Sequence, residues 1–296
     1  MAKLDLDELV LERGRHATPD SGLSVLEAIT VVAPHEKFGD EPRNVSPVIA
    51  ELLRSWNDLL DDEPRQKLKA YIPKVINSVL SEDVEDFRAW VATDWLVRVQ
   101  SPIWLAAAGL GEFAEAIEAQ DQIFGPDQAR AAQKVLDEAA EAAHAEAKAG
   151  AQEWTDAGEA AWEKVGPKQW ASAGNGIKMA VRDATTESTA PALAAAGWGA
   201  RYAARDAAGE VAGDCAWDAA YMIAWKAALP VGGYRAGEAS AAAREALAPV
   251  TETMHRVLFQ LLDALIQTRW VPQELRDQIQ TKDSGYVPAE GETGGL

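Results

Sequence analysis

Apolar residues recur along most of the chain at the three- and four-residue spacing of helices buried on one face. The expected fold is therefore all-α, either a multi-helix bundle or a solenoid-like helical array. The stretch after Ser46 shows the pattern clearly: Val48, Ile49, Leu52, Leu53, Trp56, Leu59 and Leu60 share a face, and a capping serine followed by Pro47 is the preferred order for a helix start. Asp61 to Pro64 breaks this helix, and a further one is expected from about Arg65, carrying Leu68, Tyr71 and Ile72. After Ser81, the residues Phe87, Trp90, Val91, Trp95, Leu96 and Val99 form another apolar band. Pro102 predicts a break near Gln100 and a new helix capped by Ser101.

Near the start, Leu4, Leu6, Leu9, Val10 and Leu11 predict a short first helix ending at Gly14, and Arg15 to Gly22 reads as a turn. Asp20 or Ser21 is then expected to cap a helix from Leu23 to about Val32, which places Glu27 in its middle, and Pro34 stops it. Pro34, Gly39, Pro42 and Pro47 make residues 33–47 a structured loop.

Gly125-Pro126 punctuates the chain. Residues 1–125 read as an N-terminal helical domain, 126–280 as an alanine- and tryptophan-rich helical region that closes on it, and 281–296 as a flexible tail. In the second region alanine supplies helix propensity while isolated large residues act as wedges. Trp154, Trp162 and Trp170 stand eight apart, as do Trp217 and Trp225, and Gly166-Pro167 interrupts the first series. A second alanine-rich helix is expected to follow Pro191, with the segments RYAARDAA and AWDAAY returning charges to one face at short period. Val257, Leu258, Leu261, Leu262, Leu265 and Ile266 give the last helix the most apolar face in the molecule, which should pack on the N-terminal half.

Charge narrows the range of partners. Forty-seven acidic residues against 28 basic ones leave a formal net charge of −19, which repels nucleic acid phosphates. The acids serve solubility, or they imitate a polyanion that occupies a DNA-binding protein; their interruption by Lys and Arg favours the former. The lone cysteine, Cys215, rules out an internal disulfide and a cysteine-cluster metal site, and its alanine-rich surroundings suggest a small buried hydrophobe. The opening MAKLDLDELVLERG lacks the apolar centre of a signal peptide, and no run approaches the roughly 18 apolar residues of a membrane span. A cytoplasmic protein without a cofactor and without membrane contact is expected.

Gly14-x-His16, Gly22, Glu27-Ala28, Gly39-Asp40-x-Pro42, Ser46-Pro47-Val48, Trp56-Asn57-Asp58 and Arg65 together resemble the pattern of a helical protein family of actinobacteria and their phages, for which no activity is known. Ala92-x-Asp94-Trp95 with Arg98, and the Leu-Leu-Asp ending at Asp263, are similar to it too. The resemblance covers roughly the first 110 residues and the last helix. Relatives often carry cysteines where this chain has Ser24 and Asn44 or Val45, so any metal or redox chemistry those cysteines perform would be lost here.

The best chemical constellation is His16, Glu27 and Asp40 with Asn57, and with His35 and Asp58 nearby in sequence. Imidazole and carboxylates suit a zinc or manganese site or general acid–base work, yet the spacing matches no metal or catalytic motif. The structural alternative has Asp40 and Asn57 satisfying loop amides, His16 capping a turn and Glu27 pairing with Arg43, Arg54 or Arg65. Three functions compete: a non-enzymatic acidic interaction protein, phage-encoded in one version, that binds a protein partner or its own copies; a metal-dependent or acid–base enzyme at His16, Glu27 and Asp40; and a DNA mimic. The first predicts an exposed apolar patch around Trp154, Trp162 or Trp198.

Overall fold

The structure, a computed structural model, describes residues 5–199, 202–231, 236–273 and 275–276. Residues 281–296, expected to form a flexible tail, lie outside the described residues. Among the described residues there is no strand, and nine helices of eight residues or more build the fold. These are α1 (Val25–Val32), α2 (Pro47–Leu59), α3 (Glu82–Trp95), α4 (Ser101–Ala108) and α5 (Gly111–Glu118), then α6 (Pro126–Val165), α7 (Pro167–Ala196), α8 (Ala203–Ala228) and α9 (Ala236–Gln267).

The helices pack around one hydrophobic core that is continuous across the Gly125-Pro126 turn. α8 lies along α6 and also touches α4, α7 and α9, while α7 packs against both α9 and α2. Alanine makes the close approach possible. Ala208, Ala212, Ala216, Ala219 and Ala220 of α8 are buried, as are Ala132, Leu136, Ala139 and Ala143 of α6. The apolar face of α9 meets the N-terminal half through Phe259, whose ring lies 4.4 Å from Trp56 and 5.5 Å from Tyr71. The Trp95 indole donates to the Val257 carbonyl at 3.2 Å.

Four expectations about local structure are corrected. Residues 5–14 form no helix: Leu9 and Leu11 are buried while Val10 between them is 64% exposed, the period of an extended segment. Long-range side-chain bonds replace a helix's own, since Leu11 both donates to and accepts from the Gln66 amide and Lys69 donates to the Leu9 carbonyl. The segment from Asp62 to Val75 is not one helix but short turns of α and 3-10 geometry broken around Pro64 and Pro73.

No break occurs at Gln100. α3 runs into α4 through a π-helical turn, Leu96–Gln100, and Ser101 has helical dihedrals rather than a cap's. Pro102 has no N–H to give the preceding turn, and the widened turn absorbs that loss while Ser101 Oγ donates to the Leu96 carbonyl at 3.0 Å. Likewise Pro191 lies inside α7 instead of preceding a new helix, with Ala192, Ala195 and Ala196 beyond it buried.

Candidate functional site

Ser24, not Asp20 or Ser21, caps α1. Its hydroxyl accepts from the Glu27 amide at 3.4 Å and its own N–H donates to Glu27 Oε2 at 2.9 Å, so Glu27 is the reciprocal partner of a capping box. Thr18 and Ser21 form a smaller box around the 3-10 turn Pro19–Ser21.

Glu27 is fully buried, and both of its oxygens are occupied. The His16 N–H donates to Oε1 at 2.6 Å, and His16 Nδ1 donates to Oε2 at 2.7 Å. Of the arginines expected beside Glu27, Arg54 bonds Glu51 and the Asp40 carbonyl and Arg65 bonds Asp62, while the Arg43 backbone N–H donates to Glu36. Burial pushes the Glu27 carboxyl up, but the amides of Ser24 and His16 and the adjacent imidazole together hold it below the usual carboxylate value. His16 Nε2 faces Glu12 at 3.5 Å, and the ring lies so close over Gly22 that a Cβ there would sit 2.7 Å from it. Gly22 also has φ +120°, so the turn needs glycine twice over.

Asn57 is buried and satisfies two strands of chain at once. It accepts the Val25 N–H on Oδ1 at 3.2 Å and donates from Nδ2 to the Glu12 carbonyl at 2.9 Å. Asp58 accepts the Gly14 N–H at 2.9 Å, and Arg65, buried beneath, donates to the carbonyls of Asn57 and Leu60. Asp40 approaches Arg15 at 3.4 Å. Asp40 and Asn57 line a cavity of only about 50 Å³ together with Gly14, Arg15 and Arg54, and neither His16 nor Glu27 is part of its wall. The four candidates thus form two groups: His16 with Glu27 in a capped turn, and Asp40 with Asn57 beside a cleft with room for about one water. His35 is exposed with φ 66°. Among the described residues no group of three or more His, Cys, Asp and Glu side chains is arranged to hold a metal ion.

A second polar network gave no sign in the sequence. Glu85 accepts from the Ser46 hydroxyl, from the Leu80 N–H at 3.0 Å and from Arg88 at 2.8 Å. Arg88, fully buried, also donates to the carbonyls of Ser78, Leu265 and Thr268, so its guanidinium closes the C-terminal end of α9. Asp94 grips Arg98 through both oxygens and accepts the Ile123 N–H, tying the end of the first half to α3. The Cys215 thiol is buried, and burial with nearby Asp214, Asp218 and Asp137 pushes it up to about 12.

The tryptophans mostly fill space. Trp154 is 4% exposed; its ring stacks 4.4 Å from Trp170 and lies tilted 5.4 Å from Trp225, so it contributes no surface patch. Trp198 is half-buried, and the Trp162 side chain lies outside the described residues. Trp217 differs from these. Its ring, 36% exposed, meets Tyr221 edge-on and closes one end of a groove of about 640 Å³ between α7 and α8. Thr186, Thr189 and Leu193 form one side of this groove and Glu210 and Asp214 the other. A smaller hollow of about 270 Å³ continues it past Leu193 and Glu210 to Asp206.

No protein-family model, curated protein or solved structure matches this chain. Of the motif residues named in the sequence, Gly14, His16, Glu27, Asn57, Asp58 and Arg65 share the backbone hydrogen bonds above, Asp94 and Arg98 form an ion pair, and Gly22 leaves room for the His16 ring.

Proposed function

We propose that the chain is a non-enzymatic, acidic helical interaction protein that binds a protein partner through the groove between α7 and α8. One observation carries this reading: an open groove ending in an exposed tryptophan, with the exposed carboxylates of Glu210 and Asp214 on its rim making no ion pair among the described residues. A large ring at the end of a trough that a bound partner would desolvate is the kind of anchor on which protein interfaces concentrate their binding energy. The net charge of −19 turns away nucleic acid, anionic membranes and second copies of the chain, and favours a basic partner. Among the described residues no helix is long and apolar enough to cross a membrane.

The enzyme alternative at His16, Glu27 and Asp40 has less support, because Glu27 and Asn57 already use their polar atoms to hold the backbone. The resemblance to a family shared by actinobacteria and phages fits a partner of host or phage origin. A photo-crosslinking residue placed at position 217 in native cells, with Val10, the more exposed of the two sites, as control, tests the reading. A discrete protein adduct at 217 and none at 10 is expected. Identical adduct patterns at the two positions would refute the groove as the binding face.

A further inference from the structure

Resting on that reading, we infer that the segment seated in the groove is an amphipathic helix with Lys or Arg at every fourth position along one edge. The period of α8 sets this requirement. Asp206, Glu210 and Asp214 follow one another four residues apart, and all three are exposed on the α8 side of the groove and its continuation. At a rise of about 1.5 Å per residue their backbone positions are about 6 Å apart and span about 12 Å. Basic residues four apart on a second helix repeat at the same interval, so three pairs can form in register without either helix bending.

The opposite wall decides the rest of the partner's pattern. Thr186, Thr189, Ala190 and Leu193 carry no charge, and Leu193 on that wall and the Trp217 ring at the end offer apolar surface. Moreover, the Thr189 hydroxyl already accepts from the buried Gln100 amide at 3.0 Å. The occupant therefore needs bases along one edge, an apolar stripe toward Leu193 and Trp217, and small or hydroxyl residues toward α7. Close packing leaves little slack beneath: a Cβ on Gly209 would stand 3.1 Å from Leu193, and one on Gly213 would stand 3.6 Å from Thr189. A strand is a poor alternative, because strand addition uses a free sheet edge and the described residues contain no strand. A trough between two packed helices instead receives the ridge of a third.

The test uses the full chain and three fluorescein-labelled 16-residue helical peptides, with binding read as anisotropy. One has an apolar stripe and Lys at every fourth position on one edge, one replaces those Lys by Glu, and one keeps the composition but scatters the Lys around the helix. The ordered Lys peptide should bind, and bind at least about tenfold more tightly than the scattered one. Trp217→Ala and the triple change Asp206→Asn, Glu210→Gln, Asp214→Asn should each weaken it by about the same factor, with circular dichroism unchanged because all four sites are exposed. Only the triple variant should flatten the salt dependence. Equal binding of the ordered and scattered peptides, or undiminished binding to the triple variant, would overturn the inference. So would a photo-crosslinked partner whose attached segment lacks a four-residue basic row, which would leave the broader reading standing. Self-association in sedimentation equilibrium that Trp217→Ala abolishes would overturn both.

Discussion

The first quarter of the chain and the pair α7–α8 use polar side chains in opposite ways. Around α1 and α2, buried groups are matched to backbone atoms: Glu27 to the amides of His16 and Ser24, Asn57 to Val25 and Glu12, Arg65 to the end of α2. Along α8, carboxylates stand exposed beside a groove with no ion-pair partner among the described residues at Glu210 and Asp214. A residue whose hydrogen-bonding capacity is spent on the backbone holds the chain; one left unpaired beside a hollow and an exposed ring is available to a partner. Of the two readings open for His16, Glu27 and Asp40, a site or a structural clamp, the contacts of Glu27 follow the second.

The largest effect should come from the buried guanidinium that joins the two halves. Arg88→Met leaves Glu85 buried without its cation and the carbonyls at the end of α9 without donors. A loss of about 3–5 kcal/mol in urea unfolding is expected. In the alanine-rich region packing geometry replaces hydrogen bonding. A Cβ on Gly158 would lie 2.3 Å from the Trp170 ring, so Gly158→Ala should cost about 1–3 kcal/mol by overpacking. Gly174→Ala on the facing helix meets nothing closer than 3.9 Å and should instead stabilise by up to about 1 kcal/mol. If both substitutions proved neutral, the stacked tryptophans would not be the wedge described.

Glu27→Gln keeps the shape of the capping box but weakens its charge-assisted bonds, with an expected cost of about 1–3 kcal/mol. Its pH dependence follows from the lowered folded value. A carboxyl depressed on folding contributes stability above the ordinary value of 4.5, and that contribution disappears as pH falls through the still lower folded value. Wild type and Glu27→Gln should therefore converge in stability below that range and diverge above it, as read by thermal melts across pH 2–7. Parallel curves would remove the ionised Glu27 from the account.

Much of the fold was legible because helical periodicity is a property of single segments. The apolar faces of α2, α3 and α9 and the Ser46-Pro47 start of α2 needed no tertiary information. Ser24 and Glu27 also carried a local signal, a serine three residues before a glutamate ahead of an apolar run, although taking Leu23 as the helix start hid it. Leu9 and Leu11 could not be assigned from so short a segment, since two apolar residues fit either period and only Gln66 and Lys69, distant in sequence, decide for the extended form. The π-helical turn before Pro102 and the continuation of α7 through Pro191 depend on packing that pays back a lost backbone bond. Glu85 and Arg88 resemble a solvated i,i+3 pair until α9 covers them. Of the groove, only Asp206 in RYAARDAA and Trp217 in AWDAAY fell within segments whose pattern was visible, because a hollow belongs to two helices at once.

The most direct test of the contrast compares urea unfolding of Asn57→Ala with that of the triple variant Asp206→Asn, Glu210→Gln, Asp214→Asn. Asn57→Ala removes the buried bridge between the Val25 amide and the Glu12 carbonyl and should lose about 2 kcal/mol. The triple variant, altered only at exposed positions, should stay within about 0.5 kcal/mol of the parent. A triple variant that loses as much as Asn57→Ala would show that the α8 carboxylates hold the fold and would contradict the assignment of that face to binding.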